Sequence, residues 1–258
     1  AVAHATTPFI SAYPWSATGF GTKYTNPATL PAGNGNDVAF SPAGNAIAVA
    51  HSTSPNVSAY PWSTSGFGTK YTDPATLPGG INGLSVAFSP AGDVIIVTGT
   101  GTPFIQAYPW NVGTGFGTKY TDPATLPGSV GNNTNNVAFS PAGDAIAVTA
   151  TVTPFIFAYP WNVSTGFGTK YTDPATLPGT SGNGVAFSPA GNVMAVAHSG
   201  TPFISVYPWS VGTGFGIKYA NPATLPTGGG SDVAFSPAGD AIAVAHATTP
   251  FISAYPWS

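Results

Sequence analysis

The feature that most constrains this chain is an internal repeat of about 48 residues. The heptapeptide Val-Ala-Phe-Ser-Pro-Ala-Gly occurs five times, with spacings of 48, 51, 48 and 48 residues. Its copies start at Val38, Val86, Val137, Val185 and Val233. Tyr-Pro-Trp occurs six times, and Gly-Phe-Gly-(Thr/Ile)-Lys-Tyr occurs five times between those copies. A period of this length is typical of architectures that stack one supersecondary unit, so the fold of the unit decides the fold of the chain.

Each unit predicts four short strands, which we name A to D in chain order. In the second repeat unit, residues 37–84, we expect A at residues 37–41, B at 46–51, C at 57–62 and D at 66–71. The Ser-Pro-Ala-Gly-(Asn/Asp) segment between A and B indicates a tight turn, with Pro at its second position and Gly able to take positive φ. No segment has a helical apolar stripe, and 27 Pro and 33 Gly interrupt every candidate, so we expect almost no helix.

Strand B is a continuous apolar run, Ala-Ile-Ala-Val-Ala at 46–50, which fits a sheet buried on both faces. Sheets buried in this way occur where blades pack face to face. We therefore predict an all-β fold, a β-propeller of four-stranded antiparallel blades with about 48 residues per blade. We expect a single domain over 1–258, with repeat units of approximately 1–36, 37–84, 85–135, 136–183, 184–231 and 232–258.

The two ends of the chain carry the same segment, because residues 1–16 are identical to residues 243–258. The chain begins with B and C and ends with A, B and C, which makes five A, six B, six C and five D strands. The count favours a six-bladed propeller with incomplete terminal blades. The alternative is a five-bladed propeller in which one copy of the duplicated strand pair is displaced.

Two family resemblances follow from these motifs. Val-Ala-Phe-Ser-Pro-Ala-Gly-Asp, an Ala-rich strand and Ile-x-x-Tyr-x-Trp together resemble a WD-repeat-like propeller blade, and the resemblance covers the whole chain. The chain departs from that pattern because Ser or Asn follows the Trp, and no Gly-His pair precedes strand A. The (Asp/Asn)-Pro-Ala-Thr-Leu-Pro segments also resemble repeats of bacteriophage tail or fibre-type structural proteins, which implies a virion-associated or extracellular protein.

The composition excludes several classes of function. All five basic residues are Lys, all eight acidic residues are Asp, and there is no Cys. Nucleic-acid binding needs a dense basic stripe, and membrane insertion needs a long apolar run, so we predict neither. The first residue is Ala rather than Met, so we expect a processed chain or a segment of a longer one.

The residues that carry chemistry recur at fixed repeat positions. Strand B ends in His in four repeats, but in Gly99 and Ala150 in the other two, and no second ligand lies within metal-binding spacing. These four residues are His4, His51, His198 and His246. Asp stands where Asn, Ser or Gly stands in other repeats, as a turn hydrogen bond allows and catalysis does not. We therefore predict no catalytic residue, no metal and no cofactor.

Lys and the aromatic residues each allow two interpretations. One Lys in every D strand is expected to protect the sheet edge, and the alternative is a ring of positive charge for anionic glycans. These are Lys23, Lys70, Lys119, Lys170 and Lys218. We expect the Trp and Tyr residues to pack in the core, and the alternative is that sugars stack on them.

The best candidate for a binding face is the end of the sheets where the D-to-A and B-to-C loops emerge, because the D-to-A loops differ most between repeats. Its candidate ligand-binding residues are Asp37, His51, Asn136, His198, Asp232 and His246. We predict a non-catalytic structural, adhesion or display module, with protein partners or surface glycans, on a virion or outside the cell. The alternative is a multivalent lectin with sites between blades, and we predict no enzyme.

Overall fold

The chain is all-β in this computed structural model, which describes residues 1–80, 82–128 and 133–258. The described residues contain no helix, and therefore none that could cross a membrane. Two compact units are formed, Ala1–Tyr120 and Thr121–Ser258. A single domain over 1–258, with its six repeat units, stays a prediction.

The described residues of the first unit, 1–80 and 82–120, form twelve strands. They are β1 (Val2–Ala3), β2 (Ile10–Ser11), β3 (Trp15–Ser16), β4 (Gly19–Phe20), β5 (Gly35–Phe40), β6 (Ala46–His51), β7 (Val57–Ser63), β8 (Gly66–Phe67), β9 (Gly83–Phe88), β10 (Val94–Gly99), β11 (Ile105–Asn111) and β12 (Gly115–Phe116). Strands β5 to β8 and β9 to β12 form two four-stranded sheets, and β1–β2 and β3–β4 form two-stranded pairs.

In the second unit, eleven strands are formed by the part of the chain that the structure describes. They are β13 (Thr134–Phe139), β14 (Ala145–Ala150), β15 (Ile156–Asn162), β16 (Gly166–Phe167), β17 (Gly182–Phe187), β18 (Val193–His198), β19 (Ile204–Ser210), β20 (Gly214–Phe215), β21 (Gly230–Phe235), β22 (Ala241–His246) and β23 (Ile252–Pro256). Strands β13 to β16 and β17 to β20 form four-stranded sheets, and β21 to β23 form a three-stranded one.

Every sheet pairs its strands antiparallel in chain order, which confirms the β-propeller of four-stranded blades. Both copies of the duplicated segment lie in sheets. Residues 1–16 supply β1 to β3, and residues 243–258 supply most of β22 and all of β23. The two pairs at the start of the chain thus contain B, C and D strands, and the last sheet contains A, B and C, as the six-bladed count predicts.

In the four complete sheets strand B forms the core because both of its faces are covered. All six residues of β6 are buried. In the first unit the small side chains Ala48 and Ala50 pack against the larger Val97 and Tyr108 of the next sheet. The second unit repeats this pairing of a small face with a large face. A run without polar alternation is therefore stable here, because neither face meets water.

The turn between strands A and B confirms the predicted chemistry. Gly44 has a φ of 64°, a left-handed conformation that glycine adopts without a Cβ clash. The Ser41 hydroxyl donates to Asn45 Oδ1 at 2.9 Å, and the Ser89 hydroxyl donates to Asp93 Oδ1 at 2.7 Å. Asn and Asp are interchangeable here because both offer an acceptor oxygen.

The largest differences from the predicted strand bounds are at the start of strand A and the end of strand D. Strand A starts at Gly35, two residues before the predicted start. Strand D is only Gly66–Phe67, because beyond Phe67 the backbone makes isolated bonds from Gly68 N to Pro61 O and from Tyr71 N to Ala59 O. Pro61 has no N–H to donate, so a regular ladder cannot continue there. Lys70 therefore follows strand D rather than lying within it.

Candidate functional site

Asp37, at the third position of strand A, joins two successive sheets of the first unit. Its Oδ1 accepts from Val38 N at 2.8 Å. Its Oδ2 accepts from the Ser85 hydroxyl at 2.7 Å and from Val86 N at 3.0 Å, both on β9. The carboxylate of this predicted site residue is therefore engaged by three donors and fixes the start of β5 against the start of β9.

In the second unit the same repeat position holds three different residues. Asn136 Oδ1 accepts from Val185 N of the next sheet at 3.2 Å. Gly184 has no side chain, and a Cβ there would lie 2.5 Å from Asp232 Oδ1. Asp232 Oδ1 accepts a hydrogen bond from the N–H of the next residue, Val233, at 2.9 Å, and Asp232 is exposed. The missing side chain of Gly184 thus gives the Asp232 carboxylate room.

One residue earlier in strand A, a series of Asn side chains links successive sheets. In the first unit Asn36 Nδ2 donates to Gly83 O at 2.7 Å. In the second, Asn135 Nδ2 donates to Gly182 O and Asn183 Nδ2 to Gly230 O, each at 2.7 Å. We did not predict this Asn series. The sequence did contain a sign of it, because Asn recurs directly before the strand A position of Asp37. We interpreted this segment as part of the variable D-to-A loop.

Asn183 extends the polar edge beside Asp232. Its Nδ2 also donates to the hydroxyl of Ser199 at 3.0 Å, and Ser199 is exposed. Ser231 and Asp232 are exposed on the adjacent strand β21. A carboxylate, an amide and two hydroxyls therefore lie near the starts of β17 and β21 and the end of β18, which is a donor and acceptor set suited to a polyhydroxylated molecule.

The predicted His residues lie at the end of strand B, and each pairs with a Ser of strand C. His51 Nε2 lies 3.0 Å from Ser58 Oγ, and both residues are fully buried. His198 and Ser205 repeat the pair at 3.0 Å, and His246 and Ser253 at 2.9 Å. Burial lowers the pKa of His51, and it lowers the pKa of His198 to about 4. At neutral pH both imidazoles are uncharged.

The two repeats without His show that this pair fills space. Where His51 and Ser58 stand in one repeat, Gly99 and Gln106 stand in the next, and both of those are buried. Ala150 and Phe157 hold the same positions in the repeat that follows, and they are 0% and 5% exposed. A small residue on strand B thus accompanies a large one on strand C. Among the described residues no group of three His, Cys, Asp or Glu side chains could hold a metal.

The Trp residues lie in edge-to-face clusters. Trp110 is 5% exposed and contacts Phe88 and Phe116 of its own sheet and Tyr71 of the preceding repeat, with ring centroids 4.9–5.4 Å apart. Trp209 has the same three kinds of partner. This confirms the packing interpretation for the internal repeats.

The side chains of four Lys residues bond to the side chain three residues later, namely those of Lys23, Lys70, Lys170 and Lys218. Lys70 and Lys170 form ion pairs with Asp73 and Asp173. Lys23 donates to Asn26 Oδ1 at 2.7 Å. Their charges are therefore used locally, after strand D.

The structure brings the predicted site residues to one end of their sheets. Asp37 pairs with Ala50, next to His51, in the first unit. In the second unit Asp232 pairs with Ala245, next to His246. His198 is the last residue of β18, and Asn136 is the third residue of β13. Ligand binding by these six residues stays a prediction.

Comparison with family models and with curated proteins finds no match for this chain. Among solved structures, a protein of Bacteroides uniformis provisionally named a 6-phosphogluconolactonase is similar over 96% of this chain and 74% of that one, with a TM-score of 0.71 and 16% identity. A Bacteroides fragilis protein with the same provisional name matches over 96% and 73%, with a TM-score of 0.71 and 12% identity. A functionally unknown protein of Desulfotomaculum acetoxidans matches over 96% and 72%, with a TM-score of 0.68 and 14% identity.

These matches correct two of our expectations. We predicted a non-catalytic structural, adhesion or display module, or a lectin, and no enzyme, and both predictions are wrong because two fold neighbours are named for an enzyme. The resemblance to bacteriophage tail or fibre proteins finds no support among these matches. A location outside the cell or on a virion stays a prediction. At identities of 12–16% the likeness shows the fold that the chain shares with these proteins, a β-propeller.

Proposed function

We propose that this protein is a hydrolase that opens a sugar lactone, with Asp232 as the general base. The observation that carries the proposal is that Asp232, an exposed residue of β21, lies at the same end of its sheets as Asn183 of β17, Ser199 after β18 and Ser231. The names of two fold neighbours support the reaction class.

Opening a lactone requires a base, an attacking water and a fixed substrate. As the oxygen of the water bonds to the lactone carbonyl carbon, Asp232 would accept a proton from that water. The tetrahedral intermediate then collapses by breaking the ring C–O bond, and the proton passes to the leaving ring oxygen. The products are an acid and a free hydroxyl. The Ser199 hydroxyl and the Asn183 amide would hydrogen-bond the sugar hydroxyls and hold the carbonyl towards the base.

The charges of the chain favour an uncharged lactone over a phosphorylated one. A phosphate is normally held by Arg, Lys or a helix N-terminus. The chain has no Arg, and its five Lys all follow strand D rather than strand A. The polar edge at β17 and β21 instead carries the negative charge of Asp232, which disfavours a substrate dianion.

Hydrolysis of gluconolactone and of 6-phosphogluconolactone by the purified chain tests the proposal. We expect turnover of the uncharged lactone, and a loss of at least about 100-fold in kcat for Asp232→Asn, because Asn cannot accept the proton. Asp240→Asn is the matched control. It makes the same charge change at a turn where Asn45 and Asn192 stand in other repeats, so its activity should equal that of the unmodified chain.

Either of two results would overturn the proposal. One is lactone opening no faster than the uncatalysed reaction. The other is equal activity of the Asp232→Asn and Asp240→Asn variants.

A further inference from the structure

Two buried positions on neighbouring sheets of the first unit depart from the repeat. In one repeat Asn56 follows the Pro of the B-to-C loop, where the other five repeats have Phe. In the next repeat Gly99 ends strand B and Gln106 lies on strand C, where the others have His with Ser or Ala with Phe. Asn56 and Gln106 are each 2% exposed. The chain therefore places two buried amide side chains at positions that carry no amide in its other repeats.

Three buried oxygen atoms in this region lack a hydrogen-bond partner within the part of the chain that the structure describes. They are Asn56 Oδ1, Thr100 Oγ1 and Gln106 Oε1. A buried polar atom without a partner is uncommon in native proteins, and an ordered water or an ion is one of the standard reasons for it. These three oxygens therefore point to a small ligand that would interact with them.

The three side chains border one dipeptide, Gly79–Gly80, in the D-to-A loop that joins β8 to β9. Asn56 Nδ2 donates to Gly80 O at 3.1 Å. Thr100 Oγ1 is 3.0 Å from the point where a Cβ on Gly80 would lie. Gln106 Nε2 is 3.2 Å from the corresponding point on Gly79. The unpartnered oxygens of two successive sheets therefore lie around the same short segment of loop.

Backbone oxygens lie at the same place. A Cβ on Gly79 would be 2.2 Å from Thr102 O, so only glycine lets the D-to-A loop approach the next B-to-C loop this closely. Asn56 Nδ2 donates to Pro78 O at 3.1 Å as well as to Gly80 O. Carbonyl oxygens of both loops are therefore close to the three unpartnered side-chain oxygens.

The Gly99–Gln106 pair fills less space than the pairs that replace it in other repeats. His with Ser and Ala with Phe have the same number of non-hydrogen side-chain atoms, and Gly with Gln has fewer. Where the repeat has His198, the imidazole Cε1 lies 3.1 Å from the point where a Cβ on Gly179 would be. Gln106 takes that place beside Gly79, and Asn56 is likewise smaller than Phe. Both changes therefore exchange side-chain volume for acceptor oxygens.

We propose that the Gly79–Gly80 loop binds a monovalent cation, Na⁺ or K⁺, with Asn56 Oδ1, Thr100 Oγ1 and Gln106 Oε1 as its side-chain ligands. Neutral amide, hydroxyl and carbonyl oxygens can replace the hydration shell of such an ion. Divalent cations are normally held by carboxylates, and the described residues contain no group of three His, Cys, Asp or Glu side chains that could hold a metal. The bound ion gives each oxygen a partner and links the sheet β5 to β8 with the sheet β9 to β12.

Thermal unfolding of the full chain in NaCl, KCl and N-methylglucamine chloride, at equal ionic strength, tests the proposal. N-methylglucamine is too large to enter a buried site, so it reports the protein without the ion. We expect the Tm in the better of the two alkali salts to be about 3–5 °C higher once the cation is at about ten times its Kd. Exchanging one salt for the other at constant ionic strength should move the Tm with the logarithm of the cation concentration.

Two variants that restore the pattern of the other repeats should abolish this difference between salts. Asn56→Phe removes one ligand, and Gly99→His combined with Gln106→Ser removes another and fills the space with an imidazole. Asn111→Phe is the matched control, because it makes the same substitution at an exposed turn of the same unit. It should keep the full difference between salts, whatever its effect on the Tm itself.

The readout is the difference in Tm between salts for each variant that circular dichroism shows to be folded, so a general loss of stability does not affect it. Equal Tm values of the unmodified chain in all three salts would overturn the proposal and leave a water molecule at the loop. The proposal would also fail if the Asn56→Phe variant and the Gly99→His, Gln106→Ser variant kept the same difference between salts as the Asn111→Phe control.

Discussion

At the scale of single residues, His198 makes stability depend on pH. Its folded pKa is lowered to about 4 by burial, below the unfolded value of 6.5. The unfolded chain therefore binds a proton that the folded chain does not, so the stability contribution is full above pH 6.5 and is lost as pH falls towards 4. We expect the unfolding free energy to fall by on the order of 2–3 kcal/mol over that interval.

Urea denaturation at a series of pH values measures this loss. The contribution is isolated by subtracting the profile of a double variant, His198→Ala with Ser205→Phe, which carries the same residue pair as positions 150 and 157. A variant profile as steep as that of the unmodified chain would contradict the prediction.

Residue roles were predictable from the sequence where a local rule governs them. The exchange of Asn45 for Asp93 after the turn indicated an acceptor, and the Ser hydroxyl that it accepts from lies four residues away. The pairing of His51 with Ser58 was missed because it depends on how strands B and C align across a loop. Its signal was present, since the residue seven positions after each strand B end is Ser, Gln or Phe according to whether that end is His, Gly or Ala.

At the scale of strands, the residue at the end of strand B varies together with the residue seven positions later on strand C. We therefore predict that a substitution at one of these positions is tolerated best when the other is changed with it. His198→Ala alone should lower the unfolding free energy by about 2–4 kcal/mol, because it leaves a cavity and deprives the Ser205 hydroxyl of its partner. Adding Ser205→Phe should recover most of the loss, as Ala150 and Phe157 are stable together in β14 and β15. Denaturation of the single and double variants measures both values, and a double variant less stable than the single one would disprove the pairing.

Strand existence was easier to predict than strand length. Strand B was predicted at its observed bounds, 46–51, because an apolar run between a Pro-Ala-Gly turn and a polar loop has sharp ends. Strand D was predicted too long, because its Phe, Thr and Tyr favour a strand by composition. The chain leaves the ladder there because Pro61 on the neighbouring strand cannot donate, and pairing depends on the partner as well as on the strand itself.

At the scale of the whole molecule, repetition made the architecture predictable and left the function unresolved. Five copies of one heptapeptide predict the same sheet five times. A wrong strand assignment in one repeat can therefore be recognised by comparison with the other repeats. The candidate site lacks that redundancy. It depends on Asp232 of β21 lying next to Gly184 of β17, and the sequence has this combination of residues once. The contact can be identified only after the two sheets have been positioned in the structure.

The strand A position that Asp37 and Asn136 occupy also contributes to stability, because side chains there form hydrogen bonds between neighbouring sheets of each unit. Asp37 accepts three hydrogen bonds across β5 and β9, so Asp37→Ala should lower the unfolding free energy by about 2–3 kcal/mol. Asp37→Asn should cost only about 1 kcal/mol, since Asn136 makes the equivalent bond to Val185 in the second unit. Asn136→Ala should cost about 1 kcal/mol for the loss of that bond. Urea denaturation with an unchanged m-value measures all three, and an Asp37→Ala variant as stable as the unmodified chain would show that the sheets are held together without this carboxylate.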